Sequence, residues 1–429
     1  MLPEPLRIPA FRAYFVARLA ATMAQMAMVV IIGWQVYDIA RETMDVKDAA
    51  LRLGFIGVVQ FVPLFALSLI AGWVADRVDR RHVARAAVAL ELGCAAALAL
   101  VSYSGAINLY WLYGIAALLG VARAFAGPAL GALAPNLVPR AILPNAIALS
   151  SIAWQSGTVV GPAIGGYLYA VGPAAPYAVS AMLFGVALIG LFLIGPVERP
   201  KRVTGGNPWA EVGDGLRYVR RNQLVLGAIS LDLFAVLLGG ATAMLPIFAR
   251  DILHTGSEGL GHLRAAPAVG ATLTAAWFAF KPLKTNVGVK MLLAVAVFGG
   301  ATVVFGLSRS MPLSLACLFL LGAADMLSVY VRQSLIQLYT PDAMRGRVGA
   351  VSTLFISASN ELGEAESGFL AALVGPVVAV VGGGIGAIIV VGLWAWRFPA
   401  LRLARSFDAP NVEGPAPLVE PDSQSERAR

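Results

Sequence analysis

The stretch Gly72-Trp73-Val74-Ala75-Asp76-Arg77-Val78-Asp79-Arg80-Arg81 decides how this chain is read. It crowds charge into a few residues, yet long apolar runs near 51–75 and 83–104 flank it on both sides. Each run is near the roughly 20 residues that a helix needs to cross the hydrocarbon of a bilayer. The charged segment is therefore a tight turn at one membrane face, between two spanning helices.

The same pattern continues outward. Spans are expected near 14–38, 51–75, 83–104, 107–134, 141–171 and 174–196. Six more are expected near 223–249, 260–280, 289–308, 312–338, 346–374 and 376–397. Composition agrees, with 59% hydrophobic and only 13% charged residues, against about 25% charged in a soluble domain. So few charges cannot cover a water-exposed globule, and lipid must be the solvent for much of the surface. A membrane β-barrel would show short, strictly alternating segments, and none is visible. The expected fold class is all-α integral membrane, with twelve transmembrane helices.

The net charge of +8 does not indicate nucleic acid, because the basic residues fall in alternate loops. One side carries Arg77, Arg80, Arg81, Arg140, Lys281, Lys284, Arg345 and Arg347, and also the long loop 197–222. By the positive-inside rule that side is cytoplasmic, which places both termini there, in a bacterial inner membrane. Cys94 and Cys317 lie inside apolar runs and read as packing residues. No cleavable signal is expected, since the first run is too long and lacks a small-residue cleavage site.

The long loop divides the chain into 1–196, a first six-helix bundle, and 223–397, a second, with a tail at 398–429 expected to be disordered. A shift of 202 residues aligns Leu118-Leu119-Gly120 with Leu320-Leu321-Gly322, Gly161 with Gly363, and Gly166 with Gly368. Two pseudo-symmetric halves are a common transporter plan, with the substrate site between them near the midplane. The register pairs Arg123 with Asp325, and Gly161-Pro162 with Gly363-Glu364.

Ionisable residues within spans are costly and mark function by default, at about 2.5–3.5 kcal/mol each on insertion scales. Glu361, Glu364 and Glu366 all fall in the eleventh span. Glu361 and Glu364 are three residues apart and face one cavity, whereas Glu366 points elsewhere. Asp325, Ser328 and Arg332 share one face of the tenth span. Arg332 or Arg123 is expected to hold the glutamates Glu361 or Glu364, with Asp232 and Gln25 adding polar groups to the same cavity. Proton coupling and a fixed ion-pair network both remain open for this cluster. Arg18 is read as snorkelling.

The opening segment resembles the signature of the major facilitator superfamily, Gly-x-x-x-Asp-Arg-x-Gly-Arg-Arg/Lys, in Gly72, Asp76, Arg77, Arg80 and Arg81. Asp79 replaces the usual glycine. In the family this cluster gates the cytoplasmic side. Arg123-Ala-Phe-Ala-Gly127 resembles the superfamily's Arg-x-x-x-Gly pattern, with Ala126 where glutamine is expected. Gly157-Thr-Val-Val-Gly161-Pro162-Ala-Ile-Gly165-Gly166 resembles the motif of its drug:proton antiporters, which implies export. Thr340-Pro-Asp342-Ala-Met-Arg345-Gly346-Arg347, leading into Asn360-Glu361-Leu-Gly363-Glu364, is similar to the bacterial exporters related to the enterobactin exporter.

The resemblance implies the major facilitator fold and proton-driven efflux of a siderophore or another amphiphilic small molecule. It implies no cofactor beyond the proton gradient, and a monomer is expected. A lysophospholipid or lipid flippase on the same fold is the alternative. A membrane enzyme or sensor is disfavoured, since no ATP-binding loop, nucleophile elbow or metal-ligand spacing is present. His82, His254 and His262 are read as loop or helix-end residues.

Overall fold

A computed structural model describes residues 3–196, 208–281, 283 and 285–407. The side chains of Asp76, Arg77, Arg140 and Arg345, the surroundings of Gly72, Lys284, and the segments 197–207 and 408–429 lie outside the described part.

All regular structure among the described residues is helical. The first six long helices are α1 (Pro9–Thr43), α2 (Val46–Arg77), α3 (Arg80–Tyr103), α4 (Leu109–Leu133), α5 (Leu143–Val171) and α6 (Ala175–Leu193). An amphipathic helix, Pro208–Arg221, precedes α7 (Gln223–Leu238). There follow α8 (Gly256–Phe280), α9 (Val287–Leu307), α10 (Met311–Tyr339), α11 (Asp342–Val374) and α12 (Pro376–Arg397). The ends are set by local chemistry. Asp45 caps α2 by accepting from the Asp48 amide at 2.8 Å, and Asn108 caps α4 through the Tyr110 and Trp111 amides at 3.0 and 3.1 Å.

Two expectations are corrected. The segment 197–222 is not all loop, because residues from Pro208 onward form a helix. That helix docks Gly215 against the Arg347 backbone, and Tyr218 donates to the Tyr339 carbonyl at 2.6 Å. The beginning of the tail is ordered too. Leu401 is fully buried, Phe398 packs on Gly227 of α7, and the Gly288 amide donates to the Ala404 carbonyl. Both segments carry enough apolar surface to repay the entropy of ordering. Helix α1 also overruns its expected span of 14–38 at both ends, because its turns outside the apolar run are held by packing rather than by lipid.

Nine of the helical segments among the described residues are long and apolar enough to span a membrane on length and hydropathy alone. Helices α5, α8 and α11 are long but less apolar, and their positions explain it. Helix α2 packs along α11 and α5 along α8, joining the α1–α6 half of the chain to the α7–α12 half. A helix that faces the other bundle instead of lipid can be rich in glycine, serine and charge. Small residues set the approach: a Cβ at Gly54 would sit 2.6 Å from Gly368 Cα, and one at Gly166 would sit 2.8 Å from Gly261 Cα.

These contacts yield a prediction. Gly54→Leu forces α2 and α11 apart at one end of the molecule and should cost about 1–3 kcal/mol by overpacking. The check is thermal unfolding of purified protein in detergent. Gly93→Leu, at a position where a Cβ meets nothing within 4 Å, should leave the transition unchanged.

Candidate functional site

Helix α7 does not run straight. Gly239 and Gly240 end it, a 3₁₀ turn follows at Ala241–Met244, and the chain passes through Pro246 into a π-helical turn, Phe248–Ile252. The wider π turn carries Arg250 and Asp251 against α1. Such turns recur at functional sites because they re-aim side chains without breaking the helix.

This arrangement joins the two bundles at one end. Asp251 receives Tyr37 Oη and, at 3.3 Å, the Arg41 guanidinium. Arg250 pairs with Asp38 and also donates to its backbone carbonyl at 2.9 Å. Lys47 Nζ reaches the Leu373 carbonyl at the far end of α11 at 3.2 Å. Together with the Gly54–Gly368 and Gly166–Gly261 contacts, these bonds close that end. Sequence reasoning missed the cluster because its residues fall at the ends of apolar runs, where mixed charge reads as ordinary loop.

Deeper in the molecule a second layer crosses the interface. Arg123 of α4 pairs with Glu361 of α11, Nη2 to Oε1 at 3.0 Å, and donates to Gln60 Oε1 of α2 at 3.0 Å. One turn further along α11, Glu364 faces Arg264 of α8 at 3.7 Å. Arg264 also donates to the Thr242 carbonyl at 2.7 Å, a group freed by the break in α7. Between this layer and the closed end lies a small cavity of about 40 Å³. Gly33, Leu53 and Gln60 line it from one half, and Thr242, Arg264 and Glu364 from the other. Glu361 and Glu364 thus face the same interface, while Glu366 lies beside Ser367 and makes no ion pair among the described residues. Arg264 and Gln60 were missed; an arginine close to the start of the expected eighth span was the available signal.

Arg332 corrects a sequence expectation. It binds Asp232 of α7 instead of a glutamate of α11, and both side chains are almost fully buried. Asp325 and Ser328 line a small pocket beside that pair, inside the second bundle. Helices α7 and α10 are direct neighbours, so Asp232 reaches the guanidinium first. Asp325 does not meet Arg123 despite their alignment in the repeat. Gln25 is half-buried on α1 and takes no part in the Arg123 pair.

The turn that opened the sequence reading is capped by the residue that departs from the family pattern. Asp79 accepts from the Arg81 amide at 2.9 Å and from its guanidinium. That pairing with Arg81 holds the Asp79 carboxyl down at about 2. Arg81 and Arg85 also donate to carbonyls at the end of α6, Ile194 and Leu191, where the helix dipole favours cations. Arg80 lies at the first turn of α3.

The glycines of α5 divide between two partners. Gly157, Gly161 and Gly165 pack against Thr22, Met23 and Ala27 of α1, whereas Gly166 packs against α8. Pro162 lies buried inside the continuous helix.

The sequence profile of the transmembrane secretion effector family matches residues 3–428. The chain belongs to that family. It is a transporter of the major facilitator type, a multi-span helical membrane protein rather than an enzyme. It is 28% identical over 389 residues to enterobactin exporters of Shigella boydii and Escherichia coli, covering 89% of this chain and 90% of theirs. Solved structures share the fold. A peptide-transporter-family protein in complex with 5-aminolevulinic acid superposes with TM-score 0.71 at 11% identity, covering 91% of this chain and 96% of that one. The inward-open xylose transporter of Escherichia coli gives TM-score 0.68 at 14% identity, covering 91% and 96%. A bacterial homologue of the human lysosomal transporter Spinster, inward-facing and occupied, gives 0.68 at 15% identity, covering 94% and 97%.

The closed end of this transporter supplies a direct test. Cysteines replacing Lys47 and Leu373 should cross-link readily, the native Cys94 and Cys317 being buried and free. Adding Asp251→Ala removes the acceptor shared by Tyr37 and Arg41 and should lower the cross-linking yield severalfold. An unchanged yield would mean that helix packing alone holds this end.

Proposed function

We propose that this transporter is a proton-coupled exporter of a small amphiphilic molecule of the siderophore class, working by alternating access in a bacterial inner membrane. The observation that carries the reading is the Arg123–Glu361 pair, a charge contact between the two bundles that also engages Gln60, a lining residue of the cavity they share. Protonating Glu361 removes the negative partner of that contact, so uptake of a proton and separation of the bundles become one event. Glu364 against Arg264 is a second carboxylate on the same face, able to carry a proton or meet a cationic part of the cargo. The relatedness to enterobactin exporters and the glycine pattern of α5 support the outward direction and the cargo class.

In this reading both termini are cytoplasmic, and the closed end, with Asp38, Arg41, Arg250 and Asp251, faces the periplasm. The structure is then the inward-facing state. Cargo enters from the cytoplasm and the closed end opens. Protons then reach Glu361 from the periplasmic side, break the Arg123 pair as the cargo leaves, and pass to the cytoplasm once the closed end has re-formed. The turn from Gly72 to Arg81 re-forms the cytoplasmic closure.

The test uses inverted membrane vesicles with an imposed inside-acid gradient and a panel of catecholate siderophores and lipophilic cations. Accumulation that a protonophore abolishes is expected for at least one member. Glu361→Gln should reduce gradient-driven accumulation at least tenfold, about 1.4 kcal/mol or more in coupling, and Glu364→Gln should reduce it less. Wild-type accumulation in both variants and in their combination would overturn the reading.

A further inference from the structure

The second bundle holds charge that the proposed cycle does not use. Asp232 of α7 and Asp325 and Ser328 of α10 line one small cavity of about 10 Å³, room for about one water-sized occupant. The rest of its wall is apolar, with Val295 and Phe298 supplied by α9. Three helices of one bundle build it, and no residue of the α1–α6 half lines it.

The polar groups on that wall are incompletely served. Asp232 gives Oδ2 to Arg332, and its Oδ1 takes no hydrogen bond from the described residues. Asp325 takes neither a hydrogen bond nor an ion pair from them. Ser328 is only 2% exposed, and its Oγ is buried without a partner. A hydroxyl held so deep is costly unless an occupant of the cavity bonds it. Arg332 Nε is buried without a partner too, but it is a donor on a residue that does not line the cavity.

Charge decides the kind of occupant. Two carboxylates and one guanidinium sum to a single negative charge inside the membrane, where an uncompensated charge is expensive. One monovalent cation cancels it, whereas a divalent ion would leave an excess of positive charge. Water alone fits the space and leaves the charge. A proton alone cancels the charge and leaves Ser328 Oγ and Asp232 Oδ1 unbonded. Asp232 Oδ1, both oxygens of Asp325 and Ser328 Oγ offer four oxygens to a hard cation. Carboxylates present a strong field, which favours the smaller alkali ions.

We propose that this cavity is a sodium site that ties α7 to α10 within the second bundle. Arg332 limits the charge of the site to what one monovalent ion neutralises. The site stands apart from Glu361, which lies on α11 and pairs across the interface. Beyond Asp232, α7 runs into its end at Gly239 and Gly240. A bound ion therefore fixes the straight part of α7 from which the π turn and its bonds to α1 extend.

The experiment measures binding of radioactive sodium to the purified full-length transporter in detergent, by scintillation proximity, in mildly alkaline choline buffer. Saturable binding of one ion per chain is expected, displaced by unlabelled sodium. Asp325→Asn should weaken it at least tenfold, and Ser328→Ala severalfold. Glu361→Gln should bind sodium as the wild type does. Thermal unfolding gives a second reading. Replacing choline by sodium should raise the transition of the wild type and leave that of Asp325→Asn nearly unmoved. A purely structural role for Asp325 would instead lower the transition by the same amount in both salts, which contradicts the proposal.

Absence of saturable sodium binding in the wild type overturns the site and leaves a protonated Asp325 with water in the cavity. Binding that persists unchanged in both Asp325→Asn and Ser328→Ala places the ion elsewhere and overturns it as well. Loss of binding in Glu361→Gln would join the ion to the interface between the bundles, against the proposal. Should Asp325→Asn fail to accumulate in the membrane, Ser328→Ala decides: weakened binding supports the site and wild-type binding contradicts it.

Discussion

The contact between Arg123 and Glu361 is the point on which the rest of the arrangement turns. Each charge alone inside the membrane is costly, and together they are tolerated only while α4 and α11 stay close. The pair makes the relation of the two bundles a matter of charge as well as packing. Everything around it tends to make that relation two-valued rather than gradual. The glycine contacts of α2 with α11 and of α5 with α8 permit close approach of backbones, a geometry that is either made or lost. Bonds between the π turn of α7 and α1 add a polar latch at one end, where water can replace them when they break.

Polar satisfaction explains several details that seem unrelated at first. The break in α7 leaves the Thr242 carbonyl without a helical partner, and Arg264 supplies one while facing Glu364. The Arg332–Asp232 pair ties α10 to α7 inside the second bundle. Asp79, Arg81 and Arg85 together cap the start of α3 and the end of α6. In the proposed cycle the charges between the halves are the ones free to change partners, whereas Arg332 and Asp232 lie within one half.

Much of the fold was legible in the sequence because the bilayer imposes length and polarity on each span. The twelve runs, the major facilitator kinship and the paired halves follow from apolar periodicity, the spacing around Asp76, and the repeat. Partner choice was legible only in part. Three carboxylates in the eleventh span flagged α11 as an interface helix, but spacing along one helix cannot say which arginine of another will arrive. Arg332 was therefore assigned to the wrong carboxylate, and Arg264 and Gln60 were overlooked. The latch residues were masked by their position at helix ends, where a charge costs little and carries little information.

The most direct test of the central claim is the infrared difference spectrum of the protein in lipid between neutral and mildly acidic pH, taken for the wild type and for Glu361→Gln. Protonation of Glu361 as the bundles part should appear as a protonated-carboxyl band that is lost in the variant. The same band, unchanged in Glu361→Gln, would contradict the account and place the titrating group elsewhere.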